Sequence, residues 1–329
     1  MSTALKKIPD GAGAREGSGV TPNPPAVEGA ATGAVVSVAA STAAPAARVT
    51  PPSPASLRIT RIAAASPWYE TGLGELARAW ELLLVFTWRQ IGVQYKQAVL
   101  GIGWAVLAPL LSTIVFTFVF GKLGGMPSDG LPYPVFVLSG LITWQFFARA
   151  LTVGSNCIIG NAGIITKVYF PRMVLPLSSV LSGLVDYAVN LVVLVAMMTF
   201  YGLTPGPELA LLPVFVLLAT LIGFAFSLWL SSLNALYRDI GFMIPIVLQA
   251  WMFMTPVIYP ANLVPADFFW LMQINPMTVV VEGARWAMLP TATPPHLADL
   301  PILIGEMTLL FFGGVVTFHK IDAILADRI

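Results

Sequence analysis

Residues 209–236 read LALLPVFVLLATLIGFAFSLWLSSLNAL, and no charged side chain interrupts this run. A helix needs about 20 mainly apolar residues to cross the hydrocarbon core of a bilayer. Five other stretches meet the same requirement, so the sequence predicts a protein that crosses the membrane six times. The predicted spans are residues 100–120, 133–157, 173–200, 209–236, 241–258 and 300–318.

The composition agrees with a membrane protein. Hydrophobic residues make up 57% of the chain and charged residues 10%, and the mean hydropathy is +0.82, whereas a soluble protein carries about 25% charged residues. The 17 Lys and Arg nearly balance the 16 Asp and Glu, which argues against a nucleic-acid binder. A single cysteine, Cys157, and two histidines exclude a disulfide framework and a Cys-rich metal site. We expect no metal, cofactor or catalytic residue in this chain.

The predicted fold class is an all-α integral membrane protein. The short alternating segments that are typical of a membrane barrel are absent, and helices satisfy their backbone groups internally. Residues 1–66 are rich in Ala, Pro and Gly and predict a disordered cytoplasmic tail. Residues 67–98 predict an amphipathic interfacial helix, and residues 99–329 a six-span domain.

Basic residues flank the predicted spans unevenly. With the N-terminus in the cytoplasm, eight of them fall in cytoplasmic segments and two in external ones, as the positive-inside rule requires. The eight are Arg78, Arg89, Lys96, Lys167, Arg172, Arg238, Lys320 and Arg328, and the two are Lys122 and Arg285. Both termini are therefore expected in the cytoplasm.

Residues 72–97 predict a helix at the cytoplasmic membrane surface. At 100° per residue its apolar side chains share one face, and Trp80 and Trp88 suit the headgroup level. Leu82 and Phe86 do not fit this face, and an ordinary packed helix is the alternative. The apolar face comprises Leu73, Leu76, Trp80, Leu83, Leu84, Trp88 and Ile91.

The region between the last two spans holds two apolar runs, residues 266–274 and 276–289. Asn275 precedes Pro276, and a residue before proline is driven away from helical geometry. Each run alone is too short to cross the bilayer. We expect two short helices that lie at the outer surface or dip into the outer leaflet.

Three charged residues fall inside predicted spans: Arg149, Asp186 and Glu306. Such residues are costly and usually face a partner or a cavity. Arg149 and Asp186 differ in estimated depth by about 8 Å, and either a structural ion pair or a substrate contact would explain them.

No nucleotide-binding loop is present, because Gly121-Lys122 is followed by Leu123. The chain therefore needs a partner or an ion gradient to drive uphill transport.

The connector between spans two and three, residues 158–172, is short and apolar and ends in an aromatic-proline corner. It predicts either docking onto a cytoplasmic protein or packing against the chain's own helices.

In span three, Ser178, Ser179, Ser182 and Gly183 give the small-residue spacing that allows close helix approach. That approach is either within one chain or between two copies.

Residues 88–110 resemble the first-span region of permeases from ABC transporters that export polysaccharide, such as O-antigen, capsule and teichoic acid. The segments 167–172, 237–240 and 255–260 and the pair Asn275-Pro276 follow in the order of that family. The resemblance covers residues 72–329. Gln94 departs from the pattern, since many members carry a basic residue there, and so does Gly283-Ala284 before Arg285.

The resemblance implies a bacterial inner-membrane permease of which two copies pair with two copies of a separate ATPase that binds ATP and Mg. Residues 158–171 would form a coupling helix, residues 260–298 a periplasmic gate, and the interfacial helix a gate for a lipid-linked polysaccharide. The implied coupling residues are Ile158, Asn161, Ile164, Ile165, Lys167, Tyr169, Phe170, Pro171, Arg172, Arg238 and Asp239. The implied gate-helix residues are Trp80, Trp88, Arg89, Tyr95 and Lys96, and the implied periplasmic-gate residues are Tyr259, Phe268, Trp270, Asn275, Pro276, Glu282 and Arg285.

Aromatic side chains in the spans are candidates for a channel lining, because sugar rings stack on aromatic faces. The candidates are Trp104, Phe116, Trp144, Phe147 and Trp251, with the charged Arg149, Asp186 and Glu306. Three alternatives remain at this point. They are a permease for drugs or small lipids, a gradient-driven secondary carrier, and a membrane-embedded glycan-processing enzyme, which lacks an acid pair on an aqueous loop.

Overall fold

The computed structural model describes residues 73–96, 101, 103–290, 292, 294–295 and 299–326, and every regular element among them is helical. The predicted tail, residues 1–66, lies outside the described residues. In chain order the α-helices are α1 (Leu73–Arg78), α2 (Trp80–Lys96), α3 (Gly103–Phe116), α4 (Tyr133–Ser155), α5 (Cys157–Gly160), α6 (Ala162–Ile165), α7 (Val174–Phe200), α8 (Leu212–Leu236), α9 (Asp239–Met254), α10 (Phe269–Gln273), α11 (Pro276–Met288) and α12 (Leu300–Ala326).

Within the described residues, five helical runs are long and apolar enough to cross a membrane. They are Gly103–Leu123, Tyr133–Ser155, Val174–Phe200, Pro207–Leu236 and Leu300–Asp322. The predicted span at residues 241–258 differs, because α9 has 16 residues and is about 24 Å long. Thr255 precedes Pro256 and is extended, at φ −102° and ψ 140°, since a residue before proline disfavours the helical region. The helix therefore ends at Met254, and the predicted helical length of this span is wrong.

The first span differs from its predicted bounds at both ends. Helix α3 begins at Gly103 rather than at residue 100, and residues 97–100 lie outside the described part of the chain. Its C-terminal end continues as a π-helix over Thr117–Leu123. The backbone N–H of Gly124 closes this π-helix by donating to Val119 O at 2.9 Å.

Helix α4 lies at the centre of the fold, and most of its side chains are buried between α7, α8 and α11. Small residues let α4 and α8 approach closely, as is usual between membrane helices. A Cβ on Gly154 would overlap the Ser227 side chain, and a Cβ on Gly223 would lie 3.1 Å from Ala150 Cβ. Ser227 Oγ donates to Ala150 O at 3.0 Å, so a hydrogen bond also joins the two helices.

The small-residue stripe of span three packs inside the chain. Ser178, Ser179, Ser182 and Gly183 are all buried, and a Cβ on Gly183 would lie 3.2 Å from the Phe146 ring of α4. The close approach therefore joins α7 to α4 within one chain.

Helices α1 and α2 form one nearly continuous segment, because Ala79 N donates to Glu75 O at 3.0 Å across their junction. Leu82 and Phe86, which did not fit the predicted apolar face, pack against the core. Trp80 and Trp88 of the predicted face are exposed. The segment thus has two apolar faces, one against the protein and one directed away from it.

We expect Gly154→Ala to lower the stability of the protein by about 1–3 kcal/mol, because the added methyl group overpacks the α4–α8 contact. Gly305→Ala is the matched control, since nothing lies within 4 Å of a Cβ at that helical position. Thermal unfolding of the detergent-solubilised chain measures both variants. Equal melting temperatures for the two would contradict the close packing of α4 on α8.

Candidate functional site

The segment that follows α4 is not the single helix that was predicted over residues 158–171. Helices α5 and α6 have four residues each and break at Asn161, which lies at φ −114° and ψ 16°. Residues 168–171 are not helical. Gly160 and Gly163 flank the break, and glycine disfavours the helix by about 1 kcal/mol relative to alanine. We call residues 157–173 the connector segment.

The connector segment is divided between the core and the surface. Ile158, Ile165 and Phe170 are buried among the chain's own helices, so they support the segment from within. Lys167 and Tyr169 are exposed, the latter by 73%. The segment therefore has both a buried surface, which packs within the chain, and an exposed surface, which is free for docking.

Side-chain contacts tie the connector segment to α2. The Phe86 and Phe170 rings stack with centroids 5.4 Å apart, and Arg89 Nη1 donates to Asn161 Oδ1 at 2.9 Å. A movement of the connector segment would therefore displace α2. Phe86 was missed as a contact residue because a helical wheel with one apolar face treats it as an exception.

A second attachment joins the connector segment to α12. Arg172 Nη1 lies 2.6 Å from Asp322 Oδ1 and 3.3 Å from the Asp322 carbonyl oxygen. Arg172, an expected partner contact, is thus already paired within the chain. Asp322 was not singled out from the sequence, although it is an acidic residue at the same predicted membrane face as Arg172.

The turn between α8 and α9 is the other predicted coupling site. Tyr237, Arg238 and Asp239 are exposed, and Tyr237 has an extended backbone at φ −129° and ψ 99° that ends α8. This turn exposes one aromatic ring and one charge of each sign at the surface of the described chain.

Arg149 and Asp186 meet, although the depths estimated from the sequence separated them by about 8 Å. Arg149 Nε lies 3.0 Å from Asp186 Oδ2, and the two side chains are 24% and 16% exposed. A Cβ on Gly183 would lie 3.6 Å from Arg149 Cδ. The arginine stem thus passes close to α7 at Gly183 on its way to the carboxylate.

Two residues at the end of α2 complete this polar cluster. Gln94 Nε2 donates to both Asp186 oxygens, at 3.3 and 3.1 Å, and Gln94 Oε1 accepts from Arg149 Nη2. Tyr95 OH donates to Asp186 Oδ1. We call Gln94, Tyr95, Arg149 and Asp186 the α2 anchor. Its charges compensate each other, and this argues against Asp186 as a free proton acceptor.

The remaining charged candidate in a span is Glu306. Its Oε2 is buried without a hydrogen-bond partner among the described residues. Glu306 lies on α12 and takes no part in the α2 anchor, so the structure does not unite the three charged candidates in one site.

Two predicted channel aromatics belong to the core instead. Trp144 and Phe147 are almost fully buried, and both form edge contacts with Trp251, at centroid distances of 6.1 and 5.3 Å. The rings interlock because aromatic pairs favour tilted contacts. Phe116 also packs against the core, whereas Trp104 is 54% exposed.

Asn275 connects the end of α9 to the start of α11. Its Nδ2 donates to Thr255 Oγ1 at 2.8 Å, and its Oδ1 accepts from Trp251 Nε1 at 3.0 Å and from Met277 N at 3.1 Å. Asn275 is thus the N-cap of α11, with Pro276 at the first helical position, as the pair Asn-Pro favours.

Arg285 secures the same turn from the other side. It is 4% exposed, and its Nη2 donates to the carbonyl oxygens of Pro256 and Val257, each at 2.8 Å. Its guanidinium carbon lies 4.0 Å from the centre of the Phe136 ring. Arg285 therefore supports the turn electrostatically.

The other expected periplasmic-gate residues lie nearer the surface. Phe268 and Trp270 are exposed, and Tyr259 OH donates to Phe253 O at 3.0 Å. Glu282 lines a small pocket together with Asp129. The expected gate set thus contains both supporting residues and surface residues.

These observations define a multi-pass helical membrane protein whose polar side chains fix helix ends and helix pairs. The chain belongs to the ABC-2 type transporter family, whose model matches residues 81–289. Membership identifies it as a transport permease.

The relatives with curated names are polysaccharide export proteins. The O-antigen export system permease protein RfbA of Klebsiella pneumoniae is 30% identical over 253 residues, which cover 77% of this chain and 96% of the relative. The protein of the same name from Myxococcus xanthus is 29% identical, with 73% of this chain and 92% of the relative covered. The polysialic acid transport protein KpsM of Escherichia coli is 23% identical, with 73% and 93% covered.

We expect Asp186→Ala and Arg149→Ala each to destabilise the protein, because each leaves a partly buried charge without its partner. The double variant should be less destabilised than the sum of the two, with an interaction energy of about 0.5–3 kcal/mol. Chemical unfolding in detergent micelles measures all three variants.

Asp186→Ala combined with Arg238→Ala is the control, because Arg238 is exposed on another turn. Effects that add in both double variants would contradict a coupled Arg149–Asp186 pair.

Proposed function

We propose that this protein is the transmembrane subunit of an ATP-driven exporter that moves a lipid-linked polysaccharide, similar to O-antigen, across the bacterial inner membrane. The observation that carries the proposal is the 30% identity to an O-antigen export permease over 96% of that relative's length. Two copies of the chain form the channel, and two copies of a separate ATPase bind ATP and Mg. This chain makes and breaks no bond of the substrate.

The proposed placement in the membrane has six passes with both termini in the cytoplasm. Five passes are the long helical runs, and α9 is the other, with the turn after Met254 and helices α10 and α11 completing its external end. The distribution of basic residues supports this orientation. Trp80 and Trp88 are exposed on α2, and this supports a position of that segment at the cytoplasmic interface.

The mechanical step begins at the exposed part of the connector segment. We assign contact with the ATPase to Lys167 and Tyr169 and to the turn at Arg238 and Asp239, because these side chains are exposed. Closure of the ATPase pair displaces this surface. The buried Phe170 passes the displacement to α2 through its stacked partner Phe86.

The attachments of the connector segment give this displacement two routes into the membrane. The Arg172–Asp322 ion pair leads to α12, and the Asn161–Arg89 hydrogen bond leads to α2. The α2 anchor then joins the far end of α2 to α4 and α7. Through these contacts a cytoplasmic movement changes the width of the channel.

A permease for drugs or small lipids is the second candidate, since its fold would be the same. The names of the relatives favour polysaccharide. A gradient-driven carrier is less well supported, because Asp186 is neutralised by Arg149 and no carboxylate chain extends from it among the described residues.

We expect Tyr169→Asp to reduce both ATPase binding and surface polysaccharide, because it places a charge at the centre of the proposed contact. Tyr201→Asp is the matched control, since Tyr201 is also exposed but follows the opposite end of α7. Co-purification of the ATPase with the tagged chain and immunoblotting of surface polysaccharide measure the two effects. Normal binding and export by Tyr169→Asp would refute the assigned contact.

We expect deletion of the gene to abolish long-chain polysaccharide at the cell surface and to leave the efflux rate of fluorescent drugs unchanged. The reason is that a channel built for a polymer carries polysaccharide, whereas a cleft built for small molecules carries drugs. Expression of the chain from a plasmid should restore the polysaccharide. The opposite pattern, with lost efflux and normal polysaccharide, would favour the second candidate.

A further inference from the structure

Two cytoplasmic surfaces follow two different membrane helices. The connector segment follows α4, and the turn at Tyr237 follows α8. Their exposed aromatic residues are Tyr169 and Tyr237. Nothing in the chain order requires these surfaces to keep a fixed separation, because 65 residues and helix α7 lie between Arg172 and Arg238.

Asn234 lies between the two surfaces and is 1% exposed. It is the only amide side chain in the charge-free run 209–236. Its Nδ2 donates to Ser155 O at 3.0 Å and to Asn156 Oδ1 at 3.1 Å. Its Oδ1 accepts from Gly241 N at 2.9 Å. Both amide atoms of Asn234 are therefore used, and each bonds to a different helix end.

Two of the groups that Asn234 binds are backbone groups at helix ends. Ser155 is the last residue of α4, and the carbonyl groups of a final helical turn have no partner within the helix. Gly241 is the third residue of α9, and its N–H is shared between Arg238 O at 3.2 Å and the closer Asn234 Oδ1. One side chain of α8 thus satisfies the C-terminal end of α4 and the N-terminal end of α9.

The packing around this amide leaves little room for movement. A Cβ on Gly241 would lie 3.0 Å from Asn234 Oδ1, 3.3 Å from Nδ2 and 3.5 Å from Asn156 Oδ1. Asn156 Nδ2 also donates back to Thr152 O of α4 at 2.9 Å. The glycine therefore allows α9 to approach the amide closely enough for its backbone N–H to bond.

We infer that Asn234 is a positioning residue that clamps the connector segment and the Tyr237 turn into one rigid docking platform for the ATPase. The inference rests on the proposed function for the identity of the partner, but the clamp itself is a property of this chain. Force applied by the ATPase to either surface then moves the ends of α4, α8 and α9 together. Without the clamp, each surface follows its own helix and part of the movement is lost.

The clamp is tested by a distance between spin labels on Tyr169→Cys and Tyr237→Cys, measured by pulsed electron paramagnetic resonance on the full chain in nanodiscs. The native Cys157 is buried, so the labels attach to the introduced cysteines. Each single-cysteine variant reports the distances between copies. We expect one narrow distribution within a chain. Binding and export assays use unlabelled chains that keep Tyr169 and Tyr237.

Two variants remove or displace the clamp. Asn234→Leu deletes all three hydrogen bonds, and Gly241→Ala pushes the amide aside without deleting it. Both should broaden the 169–237 distribution and lower the polysaccharide exported per ATP hydrolysed, because part of the movement at each surface is then lost. Asn234→Leu tests the bonds, and Gly241→Ala keeps the test valid should Asn234→Leu fail to fold.

Matched controls exclude a general loss of stability. Asn190→Leu replaces another buried asparagine, whose Nδ2 donates only within α7, to Asp186 O. Gly305→Ala adds a methyl group to a helix with nothing nearby. Both controls should keep the narrow distribution and the wild-type export per ATP. Melting temperatures of all four variants identify any that unfold.

The outcomes separate the clamp from the proposed function. A distribution that stays narrow in folded Asn234→Leu and Gly241→Ala overturns the clamp, whatever the ATPase does. A broadened distribution together with failure of any ATPase to bind the wild-type chain supports the clamp and refutes the proposed partner. Broadening together with reduced export per ATP supports both.

Discussion

Every backbone N–H and C=O group that is surrounded by apolar atoms needs a hydrogen-bond partner, and the rest of this fold follows from that constraint. Helices supply these hydrogen-bond partners over most of the described chain. Where the chain leaves a helix, a side chain supplies the partner. Arg285 binds the carbonyl groups after α9, Asn275 caps α11, and Asn234 serves the ends of α4 and α9. These irregular segments are thus held by side-chain hydrogen bonds.

Much of the helical pattern could be predicted from the sequence, because a run of about 20 apolar residues is a strong signal. The break at Asn275-Pro276 was also visible in it. The early end of α9 had an equally plain signal in Thr255-Pro256, but hydropathy alone obscured it. The pairing of Arg149 with Asp186 could not be predicted from depth along each helix, because it depends on how α4 packs against α7.

The division of the connector segment between core and surface could not be predicted from the sequence either. Apolar residues occupy both of its sides, so composition does not distinguish a buried Phe170 from an exposed Tyr169. The positions of α2 and α12 decide which of these two adjacent residues faces the core. Arg172 illustrates the same limit, since a basic residue beside a predicted docking corner proved to be paired with Asp322. Family resemblance located the region, and the structure divided its residues between support and contact.

The brevity of α9 has a consequence near the outer edge of the membrane. In the proposed placement α9 starts at the cytoplasmic face, and its length of about 24 Å ends roughly 6 Å short of the outer edge of a hydrocarbon layer about 30 Å thick. The remaining depth is filled by the buried turn that Asn275 and Arg285 brace. Its carbonyl groups at Pro256 and Val257 are already bonded to Arg285, so an apolar layer at this depth would meet no unpaired oxygen there.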